Sequence, residues 1–342
     1  MNKVNLLLAT VAVLSGCQTM GPDTGGNSRS GYYDGSRSVL YQVQKEATSA
    51  GQAMVMATVA YRSGDLDQAL YQYLRVIELD PKRYEALVWV GRIHRERGND
   101  QLAELAFADV LNSAPDNLEA LTEMGLLQLS RRNQGKAAEL LGKAVALDQK
   151  RLGGGAGELK VDSQSPLKVY NGLGVLADLN GDFDKAGSYY RLALRIDPRS
   201  ALTLNSLGYS HYLGGRWLEA EQTYRRGVAY DSRYKPLWRN YGLLLARMGR
   251  YEESLSAFQQ VEGDAEASND VGYICLIEGK LDEAEQFFRS AIEQSPSHNE
   301  AAWQNLNRLQ QIRRIRQLGM SQPISEAVVA VPAPVTEAIA QQ

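Results

Sequence analysis

The fold is decided by residues 84–115, YEALVWVGRIHRERGNDQLAELAFADVLNSAP. Leu87, Val90, Gly91 and His94 stand at i, i+3, i+4 and i+7, the spacing that puts side chains on one face of a helix. After Gly98, a second apolar face follows with Ala103, Phe107, Val110 and Ala114. Glycine can take the left-handed conformation that ends a helix, and Pro115 cannot continue one. The stretch therefore reads as two amphipathic helices joined by a tight turn. The small residues Gly91 and Ala103 mark the closest approach of the two backbones, and Phe107 fills the space between units.

The same lattice recurs along the chain. A small residue twelve positions ahead of an Ala or Ser gives Ala57/Ala69, Gly91/Ala103, Gly125/Ala137, Gly174/Ala186, Gly208/Ala220, Gly242/Ser254 and Gly272/Ala284. Successive spacings are 34, 34, 49, 34, 34 and 30 residues. Four residues after each second member comes a large apolar side chain: Tyr73, Phe107, Leu141, Tyr190, Tyr224, Phe258 and Phe288. A turn glycine follows at 64, 98, 181, 215, 249 and 279, with Arg132 in its place in the third unit. Pro81, Pro115, Pro198 and Pro296 close four of the units.

This pattern resembles the tetratricopeptide repeat, a helix–turn–helix unit of about 34 residues. The resemblance covers about residues 50 to 298 in seven units. It implies an all-α fold, a superhelix of about seven helix–turn–helix units with a C-terminal capping helix. Departures are local. Only Tyr170 and Trp238 stand in the usual Trp slot, the third unit lacks its turn Gly and Pro, and the sixth is four residues short.

The flanks divide the chain further. Residues 1–16 read as a lipoprotein signal peptide: Lys3, an apolar run from Val4 to Leu14, then Leu14-Ser15-Gly16-Cys17. That run is too short to span a bilayer, which takes about 20 residues. The last four residues resemble the bacterial lipobox, which implies a diacylglyceryl group on Cys17; the alternative is an ordinary signal peptide that contains a Cys. Gln18 is not the Asp that retains such proteins in the inner membrane, so the resemblance implies the outer membrane, facing the periplasm. Residues 17–38 read as a flexible tether of roughly 25 Å root-mean-square reach. Residues 39–149 hold an N-terminal helix around Val39 to Ala50 and repeats one to three. A Gly-rich insertion, 150–165, reads as a surface loop or a hinge before repeats four to seven at 166–298. Residues 299–318 read as the capping helix, with Ala301, Leu306, Leu309, Ile312 and Ile315 as its apolar stripe and Arg308, Arg313, Arg314 and Arg316 elsewhere. The tail, 319–342, reads as disordered.

Composition excludes several classes. Across 342 residues the formal net charge is -3, which gives no basic excess for nucleic acid. The two cysteines are Cys17 and Cys275, and a lipidated Cys17 leaves no pair for a disulfide. The three histidines lie far apart; His94 and His211 share one repeat slot with Cys275, which reads as core. No metal-ligand spacing, cofactor motif or phosphate loop is present, so a non-enzymatic protein is expected; a cryptic activity in the groove is the outlying alternative.

Chemistry for binding is legible in the first helices, which line the concave face in the repeat family. Asn171, Asn205 and Asn269 stand three residues before the Gly, with Arg239 in the same slot and Asn240 beside it. An Asn side chain can bond both the C=O and the N–H of an extended peptide. Tyr209 and Tyr273, one residue past the Gly, would face the same groove. The bland alternative is a merely solvated helix face. Met54, Val88, Trp89 and Thr122 make the groove of the first three units read as more apolar, and only Lys168 and Arg239 could grip a terminal carboxylate. A lipobox joined to such an array most resembles the TadD-type lipoproteins of tight-adherence (Flp) pilus assembly and the pilotin class. The resemblance implies a scaffold for an envelope protein, such as a secretin or other pilus component. An adaptor recruiting peptidoglycan hydrolases or synthases is the alternative.

Overall fold

The computed structural model describes residues 47–154, 158–295 and 299–318. All of their regular structure is helical. Unit one pairs α1 (Ala50–Arg62) with α2 (Leu66–Leu79), and unit two pairs α3 (Tyr84–Glu96) with α4 (Asp100–Ser113). Unit three is α5 (Leu118–Ser130) and α6 (Gln134–Arg151); unit four is α7 (Leu167–Leu179) and α8 (Phe183–Ile196). Then come α9 (Ala201–Leu213) with α10 (Trp217–Tyr230), α11 (Lys235–Arg247) with α12 (Tyr251–Phe258), and α13 (Asp264–Ile277) with α14 (Leu281–Gln294). A last helix, α15 (Glu300–Gln317), packs on α13 and α14. Each helix pair packs on its neighbours in chain order, and the first helices of successive units also touch. Cys17, Pro296, His298, the tether, residues 39–46 and the tail lie outside the described residues.

The repeat lattice has a sharper cause than backbone approach. Tyr73, Phe107, Leu141, Tyr190, Tyr224 and Phe288 are fully buried, and Phe258 nearly so. A Cβ built on Gly208 would lie 2.5 Å from the Tyr224 ring, and one on Gly272 would lie 2.8 Å from the Phe288 ring. The glycine makes room for the large side chain of its own unit's second helix. Gly98 and the other five turn glycines all adopt positive φ, as a left-handed helix stop requires. Arg132 does the same at φ 59, without the freedom a glycine has. A left-handed L-residue costs about 1–2 kcal/mol, partly offset by the extra unfolded-state entropy of glycine. Arg132→Gly should therefore raise stability by about 0.5–1 kcal/mol, read as a higher thermal midpoint.

The irregular units follow their sequences. With no Pro after it, α6 runs 18 residues to Arg151, inside the stretch expected as insertion. The insertion is also less free than a plain loop. Arg151 bonds both Asp148 and Asp162, while Gln149 accepts from the Lys160 N–H and donates to its C=O. Tyr170 on α7 donates to Asp148 Oδ2 at 2.8 Å. These bonds hold residues 158–165 against the junction of units three and four. The four missing residues of unit six shorten α12 to 8 residues.

Of the expected helix around Val39 to Ala50, only residues 47–50 fall among the described residues: Ser49 caps α1 by accepting from the Gln52 N–H, and 47–49 are not helical. The C-terminal helix departs from expectation. In α15, Ala302, Leu306 and Leu309 are buried, whereas Ala301 and Ile315 are exposed. Nor does Arg313 face away: it pairs with Asp282 and Glu285 of α14.

Candidate functional site

The first helices of neighbouring units are tied by polar side chains. Ser210 Oγ donates to Asp178 Oδ1 at 2.6 Å, from α9 to α7. Asn240 Nδ2 donates to Asn205 Oδ1 at 2.8 Å, from α11 to α9. Asn305 Nδ2 donates to Asn269 Oδ1 at 2.9 Å, from α15 to α13. The sequence predicts Asn205, Asn240 and Asn269 as groove residues whose amides bond an extended peptide. Asn205 and Asn240 are instead buried and bonded to each other, and Asn269 is half-buried. The reason is geometric: first helices one repeat apart run side by side, so side chains about one repeat apart in sequence meet. Arg239 is exposed beside the carboxyls of Glu262 and Asp270. Tyr209 and Tyr273 are half-buried, and Tyr209 stacks on Tyr212 at 5.7 Å.

Asn171 differs from the other three. It is 1% exposed, yet neither its amide nitrogen nor its oxygen has a hydrogen-bond partner. An unpaired buried amide costs about 1–3 kcal/mol, so a protein keeps one where something else can satisfy it.

One turn before Asn171, on the same face of α7, Lys168 joins a cluster that the sequence reading missed. Glu123 on α5 has no exposed side-chain surface. Arg92 Nε lies 2.7 Å from its Oε1, Arg95 Nη1 2.7 Å from its Oε2, and Lys168 Nζ 3.7 Å from Oε1. Glu119 adds a longer contact to Arg92 at 3.5 Å. Burial opposes the Glu123 charge, but Arg95, Lys168 and Arg92 outweigh it and hold the carboxyl below its ordinary range. Burial also lowers Lys168, and Glu123 restores only part of that. Three cations thus share one buried carboxylate and one mostly exposed one. The groove of units two to four is therefore charged rather than apolar; Val88 and Thr122 are buried, and Thr122 Oγ1 donates to the Leu118 C=O. A signal was present: Arg92 follows Gly91 by one residue, the slot that Tyr209 and Tyr273 hold in their units. Its guanidinium also lies over the Trp89 ring, 4.6 Å from the centroid.

The remaining titratable groups read as structure. His94 is buried and His211 half-buried, with burial lowering the latter's pKa. Cys275 is buried, and burial pushes its thiol up to about 11. Among the described residues no cluster of His, Cys, Asp or Glu could hold a metal ion, and no helix is long and apolar enough to cross a membrane. Leu159 lines two cavities, one of about 570 Å³ against α8 and one of about 370 Å³ among α6, α7 and α8.

Asp178 gives a pH signature. Burial pushes its carboxyl up to about 6 from 3.8, against hydrogen bonds from Ser210 and from Tyr190 Oη, the latter 2.7 Å from Oδ2. A carboxyl raised on folding favours the folded state where it is protonated. Its contribution is complete below about pH 4 and lost as pH rises through 6. At about 1.4 kcal/mol per unit, the effect is on the order of 2–3 kcal/mol. Asp178→Asn should flatten this part of the stability–pH curve in denaturant melts between pH 4 and 7. An unchanged slope would count against the buried charge.

A Tetratricopeptide repeat family model matches residues 54–117, 205–265 and 242–299, and a second model of the same repeat matches 167–200. The chain belongs to the tetratricopeptide-repeat family. The human cell division cycle protein 16 homolog is 28% identical over 154 residues, 45% of this chain and 24% of that protein. The peroxisomal targeting signal receptor of Eremothecium gossypii is 24% identical over 226 residues, 59% of this chain and 40% of that one. The chain thus spans less than half the length of these curated relatives. A tetratricopeptide repeat protein structure from Parabacteroides merdae aligns with a TM-score of 0.51 at 17% identity, covering 77% of this chain and all of that one. Tetratricopeptide arrays are scaffolds for protein–protein interaction, so the first-helix face is where this array's protein-binding chemistry is sought.

Proposed function

We propose that this tetratricopeptide protein is a lipid-anchored scaffold of a bacterial envelope, held at the outer membrane through Cys17, and that its first-helix groove binds an extended, acidic segment of an envelope protein. The observation that carries the binding site is Asn171, a buried amide with both ends unpartnered, one helical turn from Lys168. An extended backbone offers the donor and acceptor that this amide lacks. An acidic side chain beside it would meet Lys168 and Arg92, whose side chains keep 35% and 20% exposure, while Arg95 stays committed to Glu123. The anchor is supported by Leu14-Ser15-Gly16-Cys17 after a short apolar run. That combination favours a task in assembling a pilus or secretion system of the tight-adherence type, with a secretin or other pilus component as partner.

The experiment has two arms. Cells carrying Cys17→Ser are fractionated, and cells carrying Lys168→Glu are cross-linked before the protein is recovered from membranes. The proposal expects Cys17→Ser to leave the membrane fraction, and Lys168→Glu to stay there while losing its cross-linked partner. A Cys17→Ser protein that remains membrane-bound overturns the anchor. A folded Lys168→Glu protein that recovers its partner at wild-type level overturns the site.

A further inference from the structure

The second helices hold a cleft where units three and four meet. Its smaller part, about 370 Å³, has Ala138, Gly142 and Val145 of α6 on one wall and Leu173, Leu176 and Ala177 of α7 on another. Its larger part, about 570 Å³, runs along α8 and takes in Glu158 of the insertion. Leu159, Lys185 and Tyr189 line both parts, so the two adjoin. Each part falls in the range of about 300–1,000 Å³ that small-molecule sites occupy.

Charge is segregated along this cleft. Lys185, Arg191 and Arg195 line the larger part, where Glu158 is the one carboxylate among the lining residues. None of the three cations makes an ion pair among the described residues. The repeat shows why Arg191 is left over. Arg225 and Arg289 hold the same slot in units five and seven, and each pairs with a glutamate one turn earlier, Glu221 and Glu285. In unit four that position is Gly187, so Arg191 donates to Ser188 Oγ at 3.1 Å instead. Arg195 lies one turn further along the same face of α8. The smaller part is mostly apolar, and the Asn180 amide nitrogen on its wall already donates to the Leu176 C=O at 2.7 Å. An extended peptide would bring backbone N–H and C=O groups that such a wall leaves unsatisfied. A hydrocarbon chain brings none.

We infer that this cleft binds a single-chain anionic amphiphile, with its acyl chain between α6 and α7 and its carboxylate or phosphate headgroup at Arg191 and Arg195. Gly142 keeps the chain's place open: a Cβ built there would meet nothing within 4 Å. The site lies among second helices, apart from the first-helix groove, and does not rest on what that groove binds.

The test titrates the purified full chain, free of detergent, with dodecyl phosphate below its micelle concentration. Dodecanol and inorganic phosphate are the controls. Calorimetry should show one saturable site for dodecyl phosphate, with dodecanol weaker by about tenfold or more and inorganic phosphate unbound. Gly142→Leu should fill the chain's place and weaken dodecyl phosphate by about tenfold or more. Its melting midpoint should hold or rise, since leucine is the better helix former. Should it melt below wild type, Ala138→Leu on the same wall takes its place. Arg191→Glu with Arg195→Glu should weaken dodecyl phosphate by about tenfold and leave dodecanol within about twofold. Vesicles of phosphatidylglycerol separate the two sources of such a headgroup. A chain that floats with the vesicles but has no site for the monomeric amphiphile uses its cations on a bilayer surface, which overturns the inference. So does a dodecyl phosphate affinity unmoved by the leucine in a chain that melts like wild type, or unmoved by the two glutamates.

Discussion

Glu123→Ala should cost about 3–5 kcal/mol, because it leaves buried cations without their counter-charge. Arg95 is the most affected: its side chain is 5% exposed and its guanidinium lies 2.7 Å from Glu123. Arg92 and Lys168 lose the same partner. Glu123→Gln keeps the shape and some hydrogen bonding, so it should cost less. Because the Glu123 carboxyl is held below its ordinary range, its contribution is present above the unfolded pKa and lost as pH falls. The penalty of Glu123→Ala, read from denaturant melts, should therefore be larger at pH 7 than at pH 3. Added sulfate should raise the melting midpoint of the variant more than that of wild type, since it can fill the vacated place among three cations. A variant within about 1 kcal/mol of wild type at pH 7, and equally indifferent to sulfate, would show that the cluster is not a coupled unit.

Gly208→Leu should cost about 3 kcal/mol or more, the upper end of what overpacking does. The first atom of the new side chain would already fall 2.5 Å from Tyr224 Cε1, and that ring is fully buried. Unit one shows what a smaller change entails: Ala57 stands in the glycine position opposite Tyr73, with both residues buried. Gly208→Ala adds the same Cβ, so the Tyr224 ring must shift to make the room that the Tyr73 ring leaves for Ala57; the substitution should cost about 1–3 kcal/mol, less than leucine. The cause can be isolated with Tyr224→Ala, which by itself removes a large buried side chain at about 3–5 kcal/mol. If the ring is what excludes the leucine, Gly208→Leu in the Tyr224→Ala background should be much less damaging than in wild type. Additive costs would mean that another contact sets the limit. In a stack whose units contact only their neighbours, the loss should spread to units four and six before it reaches unit one.

What the sequence disclosed and what it hid differ in kind. The Gly, Ala and aromatic positions are set within one unit, by contacts at most 16 residues apart. They were legible because they recur. Arg132 was legible even as an exception, since the turn it occupies is fixed by its neighbours, whatever residue sits there. The shortened α12 followed from a count of missing residues. The site was harder, because it is made between units. That Asn205 meets Asn240, or that Glu123 meets Lys168, depends on how closely the first helices stack. The repeat pattern does not specify that distance. Asn171 and Asn205 occupy the same slot, yet only the former lacks a partner, since the residue that would meet an asparagine belongs to another helix. The charged groove is not legible from the slot of Val88 and Thr122, because both are buried, while the slot of Arg92 stays partly exposed.

On the proposed function, the Asn171 amide is kept for a ligand and not for the fold. Asn171→Leu tests it most directly, because leucine fills a similar volume without an amide to satisfy. The variant should melt above wild type, with a gain on the order of 1–3 kcal/mol, the cost of an unpaired buried amide. The same variant should lose most of the partner that wild type recovers after cross-linking from membranes. Greater stability with lost recovery is the expected outcome. A variant that melts below wild type, or one that melts higher and still recovers its partner in full, would contradict it.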